Sequence, residues 1–224
     1  MKRVPLKQKV LNENDRIAQK LRALFAKQRI LALNFVSSPG SGKTSLLEQT
    51  LMRMPDDLSA VVLTGDIATD KDAERLLRYG TAKQITTGGS CHLDAGMVDK
   101  GLEELSIENK DFLFIENVGN LVCPAGFDLG EDAKIVLLSV TEGDDKPLKY
   151  PNIIVRSDLV ILNKMDLLPY VPFDEHAVLT NARRVNPRIE ILKTSCTSGE
   201  GIDEWFRWLR ERLKTFRSRT QELN

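Results

Sequence analysis

Short apolar runs alternate with helical stripes along most of this chain. The runs are ILALNFV (30–36), AVVLT (60–64), FLFIE (112–116), KIVLLSV (134–140), DLVILNK (158–164) and IEILKTS (189–195), with a weaker one, KQITT, at 83–87. Several are apolar at every position, as strands buried on both faces of a parallel sheet require. Helical periodicity falls between them, at 43–53, 70–79, 93–105, 174–185 and 201–216. Ahead of the first run, Leu6, Val10, Ile17, Leu21, Leu24 and Phe25 recur at helical spacing. In the last segment Ile202, Trp205, Phe206, Leu209, Leu213 and Phe216 form one stripe, read as core packing. The alternation predicts an α/β fold: a mostly parallel, doubly wound sheet with helices on both faces and right-handed crossovers. It divides into an N-terminal helix or extension (1–29), a main domain (30–216) and a short C-terminal tail (217–224).

Composition narrows the function. Lys plus Arg and Asp plus Glu both number 32, so no net basic field points to nucleic acid or an anionic membrane surface. No apolar run approaches the ~18 residues of a membrane span, and MKRVPLKQKVLNEND lacks the apolar centre of a secretory signal. Three cysteines at unrelated spacings do not make a disulfide framework, which predicts a reducing, cytoplasmic setting.

The first chemical motif is SSPGSGKT (37–44), placed between a predicted strand and a predicted helix. That is the context of a phosphate-binding loop. Gly40, Ser41 and Gly42 let the backbone wrap so that N–H groups meet phosphate oxygens. Lys43 reaches the β- and γ-phosphates, Thr44 offers a hydroxyl to Mg²⁺, and Ser45 continues the helix start. Ser37 stands where the phosphate-loop pattern has its first glycine.

NKMD (163–166) ends the run DLVIL, on the side of an open α/β sheet where ligands bind. The Asp166 carboxylate matches the two adjacent N–H donors of guanine, and adenine offers no such pair. Asn163 addresses the other purine edge and the Lys164 stem lies over its face. TSCTSGEG (194–201) resembles the guanine-capping loop of GTPases, with Ser195 and Cys196 contributing backbone rather than side-chain contacts. An ATP-dependent small-molecule kinase would share the phosphate loop but have no use for NKMD. Two acidic residues also end strands on this side. Asp66 and Glu116 join Thr44 as expected ligands of Mg²⁺ or its waters. Where most GTPases have Asp-x-x-Gly, this chain has Glu116-Asn117-Val118-Gly119, and the Gly119 N–H is placed to meet the γ-phosphate. Lys43, Asp66, Glu116 and Gly119 are therefore the expected catalytic group.

GGSCHLDAGMV (88–98) adds a different chemistry. Thiolate and imidazole at Cys91 and His92 suit Zn²⁺ or Ni²⁺ far better than Mg²⁺. Cys123, seven residues beyond Glu116, is the natural third ligand, and a homodimer would complete the coordination. The residues leave two other readings open: an inert buried pair, and a nucleophilic Cys–His pair. His176, alone in FDEHAV, has no metal-binding spacing.

SSPGSGKT, GDIATDKDAERL, GGSCHLDAGMV, FLFIENVGNLVCPAGFDLG, TEGDDKPLKYP and NKMD, in that order over about residues 30–210, resemble the hydrogenase nickel-incorporation GTPases of HypB type. The resemblance implies a dimerising phosphate-loop GTPase that uses GTP/GDP and Mg²⁺. It implies Ni²⁺ or Zn²⁺ at residues matching Cys91, His92 and Cys123, at the dimer interface. The implied partners are a second copy, a nickel-handling accessory protein and the large-subunit precursor of [NiFe] hydrogenase. Some members add an N-terminal cysteine or histidine-rich motif; residues 1–29 contain neither residue, which predicts transient handover rather than storage. Urease accessory GTPases of UreG type carry Cys-Pro-His, whereas here His92 directly follows Cys91. TEGDDKPLKYP (141–151) reads equally as an interface segment or as a surface loop.

Overall fold

The computed structural model describes residues 6–67 and 71–221; expectations for residues 1–5, 68–70 and 222–224 fall outside them. Seven strands, β1 (Leu31–Ser37), β2 (Ala60–Asp66), β3 (Thr81–Thr86), β4 (Phe112–Glu116), β5 (Ala133–Ser139), β6 (Leu159–Asn163) and β7 (Glu190–Lys193), form one sheet. Its order is β3-β2-β4-β1-β5-β6-β7 and every pairing is parallel. Eight helices accompany it among the described residues: α1 (Leu6–Gln28), α2 (Lys43–Met52), α3 (Lys71–Leu76), α4 (Ala95–Leu102), α5 (Lys146–Lys149), α6 (Pro151–Val155), α7 (Glu175–Val185) and α8 (Ile202–Gln221). None is long and apolar enough to cross a membrane.

The continuous apolar runs become strands because both faces of the sheet are covered. Along β1, Leu31, Leu33 and Phe35 face a core built with α2 and α8, while Ala32 faces the core of α1 and α4. Beyond β1, Val136 and Leu138 of β5 and Val160 and Leu162 of β6 pack with Ile153, Ile154, Val178 and Ala182 of α6 and α7. Helix α1 places Ala18, Leu21 and Phe25 in the same core as Val98 of α4, so it packs on the sheet with the rest.

Helix α8 runs five residues past the expected end at 216, carrying Phe216 and Thr220 into the interior. Trp205, fully buried, meets Phe35 edge-on at 6.0 Å, stacks on Trp208 at 5.5 Å and donates from Nε1 to Thr50 Oγ1 at 2.9 Å. Helices α3 and α4 are shorter than their periodicity suggested. Backbone turns at Arg78–Gly80 end α3, and the Asp94 carboxylate starts α4 by accepting from Met97 N at 2.8 Å. The segment read as a loop at 141–151 contains α5 and the start of α6. Each begins with a proline in its first turn, Pro147 and Pro151, where the missing N–H is harmless.

All loops that carry chemistry leave the C-terminal ends of strands. Strand β1 lies between β4 and β5, where the direction of winding reverses, the place at which open α/β sheets bind ligands. A Trp205→Phe variant removes the N–H that Thr50 Oγ1 accepts, leaving that hydroxyl only its bond to the Leu46 carbonyl, and opens space beside it in the core. It should lower the unfolding free energy by about 1–3 kcal/mol in urea titration with an unchanged m-value.

Candidate functional site: a phosphate cleft beside a thiol–imidazole cluster

Residues 37–43 bridge β1 to α2 and form one wall of a cleft of about 580 Å³, whose other walls include Asp66, Glu116, Gly119 and Lys164. Gly40 and Gly42 both have positive φ. At Gly42 (φ +102°) a Cβ would lie 2.3 Å from Asn163 Nδ2, so glycine is required on both grounds. Ser41 is buried; its Oγ reaches the Ser38 carbonyl at 2.8 Å and the Glu142 carboxylate. Lys43 is buried and donates to Ser37 Oγ at 2.8 Å, so the serine at the irregular loop position holds the ammonium. Burial pushes the Lys43 pKa below the ordinary lysine value, with the neighbouring Glu116 acting the other way.

Glu116 ends β4 directly opposite α2. Its Oε1 accepts from Thr44 Oγ1 at 2.7 Å, while buried Oε2 has no hydrogen-bond partner among the described residues. Burial raises its pKa to about 7, against the opposing pull of Lys43 and Thr44. Asp66, at the end of β2, lines the same cleft. This is an all-oxygen donor set with one unmatched buried carboxylate oxygen, and it fits a hard cation such as Mg²⁺. Ser45, in the first turn of α2, lies 3.4 Å from Arg75 of α3, which also pairs with Glu48. Gly119 closes against the loop from the other side: a Cβ there would stand 3.1 Å from Pro39 Cα.

At the far end of the cleft, Asn163 is buried and ties three loops together. Nδ2 donates to Ser41 O at 2.9 Å, and Oδ1 accepts from Thr194 Oγ1 at 3.0 Å and lies 3.7 Å from Cys196 Sγ. Its amide is thus engaged with protein groups on both sides. Lys164 adopts a left-handed conformation (φ +63°) beside the cleft. Asp166 accepts from Ser195 Oγ at 2.5 Å, which orients the carboxylate. Burial pushes the Cys196 thiol up to about 11, so it stays protonated and unreactive.

Cys91 and His92 lie in the loop between β3 and α4; Cys123 begins a short 3₁₀ turn, Cys123–Gly126, after β4. The fold brings the three together, with one ligand atom from each all within 4.8 Å of one another. Cys91 Sγ is 2.8 Å from Cys123 Sγ and 3.8 Å from His92 Nδ1. All three cysteines of the chain are free thiols. Burial lowers the His92 pKa, which favours the neutral imidazole that metals bind. The Cys91 thiol is raised, first by its hydrogen bond with Cys123 and then by burial. The His92 ring packs on Phe127 with centroids 3.9 Å apart. His176 is exposed on α7.

The nucleotide-binding domain model of the CobW/HypB/UreG family matches residues 31–193. Hydrogenase maturation factor HypB of Escherichia coli strain K12 is 54% identical over 201 residues, covering 89% of this chain and 69% of that protein. This chain belongs to the HypB family. Two crystal structures agree. HypB from Helicobacter pylori in complex with nickel superposes with a TM-score of 0.87 at 39% identity, covering 91% of this chain and 96% of that one. The hydrogenase maturation factor HypB from Archaeoglobus fulgidus gives 0.84 at 39% identity, covering 90% and 99%.

Within this HypB-family site, sequence reasoning missed Glu142, Asn120 and Arg75. Glu142 sits in the segment read as an interface or surface loop, and its partner Ser41 is 101 residues away. Asn120 sends Nδ2 to Cys91 O at 3.2 Å and accepts from Val122 N at 2.8 Å, clamping the two ligand-bearing segments. Only an asparagine-rich run, ENVGN, signalled it.

Glu116 has a folded pKa near 7, above its unfolded value, so its contribution to stability is complete below about pH 4.5 and is lost as pH rises through 7. Without nucleotide or divalent cation, wild type should lose more stability than Glu116→Gln between pH 4.5 and 7.5. The difference should be on the order of 3 kcal/mol, read from urea titrations at each pH.

Proposed function

We propose that this HypB-family chain is a Mg²⁺-dependent GTPase that carries Ni²⁺ as cargo, or Zn²⁺ in its place, at Cys91, His92 and Cys123, and changes its hold on that ion with nucleotide state. The carrying observation is that the three soft ligands converge within 4.8 Å in a loop pair whose second arm leaves the strand ending at Glu116. Oxygen ligands line one site and sulfur and nitrogen the other, so the two metals separate by hardness.

Gly40, Ser41 and Gly42 and the start of α2 at Lys43, Thr44 and Ser45 surround the phosphates, and Lys43 exchanges Ser37 Oγ for phosphate oxygens. Thr44, Asp66 and Glu116 would hold Mg²⁺, which would supply positive charge to offset that developing on the phosphates. Water attacks the γ-phosphorus in line with the departing GDP oxygen, and Lys43 and the Gly119 N–H meet the growing negative charge. Asp166, held by Ser195, recognises the guanine N–H pair; Asn163 braces the base and phosphate loops, Lys164 covers the ring, and the Ser195–Cys196 backbone caps the base.

The thiol–imidazole cluster opens into an apolar groove of about 790 Å³ beside Val10, Val122 and Phe127. Val122, next to Cys123, is 63% exposed. Three ligands from one chain, one short of the usual four, support a homodimer completed across this face. Nickel then passes between an accessory protein and the hydrogenase large-subunit precursor, in the cytoplasm.

Equilibrium dialysis should show Ni²⁺ binding by wild type and its loss, by at least about tenfold in affinity, in Cys91→Ala, His92→Ala and Cys123→Ala. Equal stoichiometry in all four proteins removes the metal site. Asp166→Ala should lose at least about tenfold in GTP affinity relative to ATP, and an unchanged preference removes the base assignment.

A further inference from the structure

A chain of buried polar side chains links the segment after Glu116 to both ligand-bearing arms, through bonds that go to neighbours of Cys91, His92 and Cys123. Its centre is Asn117, 1% exposed and one residue beyond Glu116. Asn117 Oδ1 accepts from Leu93 N at 2.9 Å and from Val118 N at 3.0 Å; Nδ2 donates to Asn34 Oδ1 at 3.3 Å. Leu93 directly follows Cys91 and His92. Asn34, fully buried within β1, donates from Nδ2 to Glu131 Oε1 at 3.1 Å. Glu131 pairs with Lys134 at 3.2 Å, both side chains under a tenth exposed. Lys134 Nζ donates to Pro124 O at 3.2 Å and Phe127 O at 3.0 Å, the two ends of the turn that follows Cys123.

Each arm of the metal site is thus anchored in one network: Cys91–His92 through the Leu93 amide, Cys123 through the Pro124 and Phe127 carbonyls. Both anchors lead back to the side chain next to the carboxylate that Thr44 holds. An asparagine inside β1 is costly unless satisfied, and among the described residues its side chain bonds Asn117 and Glu131. Local satisfaction of loop amides accounts for the bonds to Leu93 and Val118. It does not account for continuing the chain through β1 to the second arm.

We infer that Asn117 is the positioning residue through which the nucleotide state sets the relative placement of the two ligand arms, and hence the hold on the metal. The inference rests on the proposed coupling of nucleotide and metal sites and names the route it takes. Movement of 116–119 towards a γ-phosphate carries the Asn117 amide with it. The Leu93 anchor must then follow or break, while Asn34, set in the central strand, stays. The arms shift against each other because one hangs from the moving residue directly and the other through the fixed strand.

The test measures Ni²⁺ affinity in the GDP state and with a non-hydrolysable GTP analogue, for full-length wild type, Asn117→Ala and Asn117→Asp, with nucleotide affinity and thermal unfolding recorded for each. In wild type the two affinities should differ by at least about fivefold. Asn117→Ala should bring the ratio to within about twofold of unity while both nucleotides still bind. Asn117→Asp keeps the oxygen that accepts from Leu93 and Val118 but loses the donor to Asn34, so it should also bring the ratio to within about twofold of unity. A purely structural Asn117 would lower the melting temperature and shift both affinities together with the ratio intact, which overturns the inference. So does an aspartate variant that keeps the wild-type ratio, since it lacks the donor to Asn34. A wild-type ratio of one overturns the coupling itself, a result distinct from either. If Asn117→Ala does not fold, amide exchange at Leu93 in wild type decides: protection should differ between the two nucleotide states, and identical protection overturns the route.

Discussion

The hydrogen bond from Thr44 to Glu116 joins the two halves of the molecule's chemistry. Thr44 belongs to the helix that follows the phosphate loop; Glu116 is the last residue of a strand whose continuation carries Cys123. Their approach is a property of the sheet, because β1 and β4 are neighbours and Phe35 pairs with Glu116 in register. A carboxylate placed there is stripped of water, which is why its pKa rises towards 7 and why one of its oxygens remains available for a cation. Any change of charge in the cleft therefore acts first on the residue from which the segment carrying Cys123 departs.

Around that bond, two donor sets of opposite character are kept apart by connectivity as much as by distance. The phosphate cleft presents a hydroxyl and two carboxylates; the neighbouring cluster presents two thiols and an imidazole whose pKa burial lowers. By donor chemistry the first set suits a hard cation and the second a soft one. Cys196, the third thiol, is half-buried and turned towards Asn163, so its sulfur is kept out of both.

Asparagine does much of the bracing. Asn163 ties the phosphate loop to the base loops, Asn120 bridges the ligand arms, and Asn117 and Asn34 run between the layers. Loops at the carboxyl edge of a parallel sheet bring many backbone N–H and C=O groups into partly dry surroundings, and each needs a partner. A side chain with both donor and acceptor meets that need at two places at once. The same bonds transmit displacement, since packed loops cannot move singly.

The sequence by itself determined the layers and the chemistry. Apolar runs at every position could only be strands covered on both sides, and SSPGSGKT between a strand and a helix could only be read one way. Thiols and an imidazole at 91, 92 and 123 made a soft-metal site one of three readings, because donor identity is local and convergence is not. Element ends were less legible: α5 and α6 hid behind prolines that look like breakers, and α8 continues beyond its aromatic stripe because Thr220 also turns inward. The tertiary structure alone decided which distant residues meet. Ser41 with Glu142, Thr44 with Glu116 and Leu93 with Asn117 are contacts across 24 to 101 positions, set by strand order and register. No periodicity records such pairings, because they depend on how strands are ordered in the sheet and not on what any strand contains.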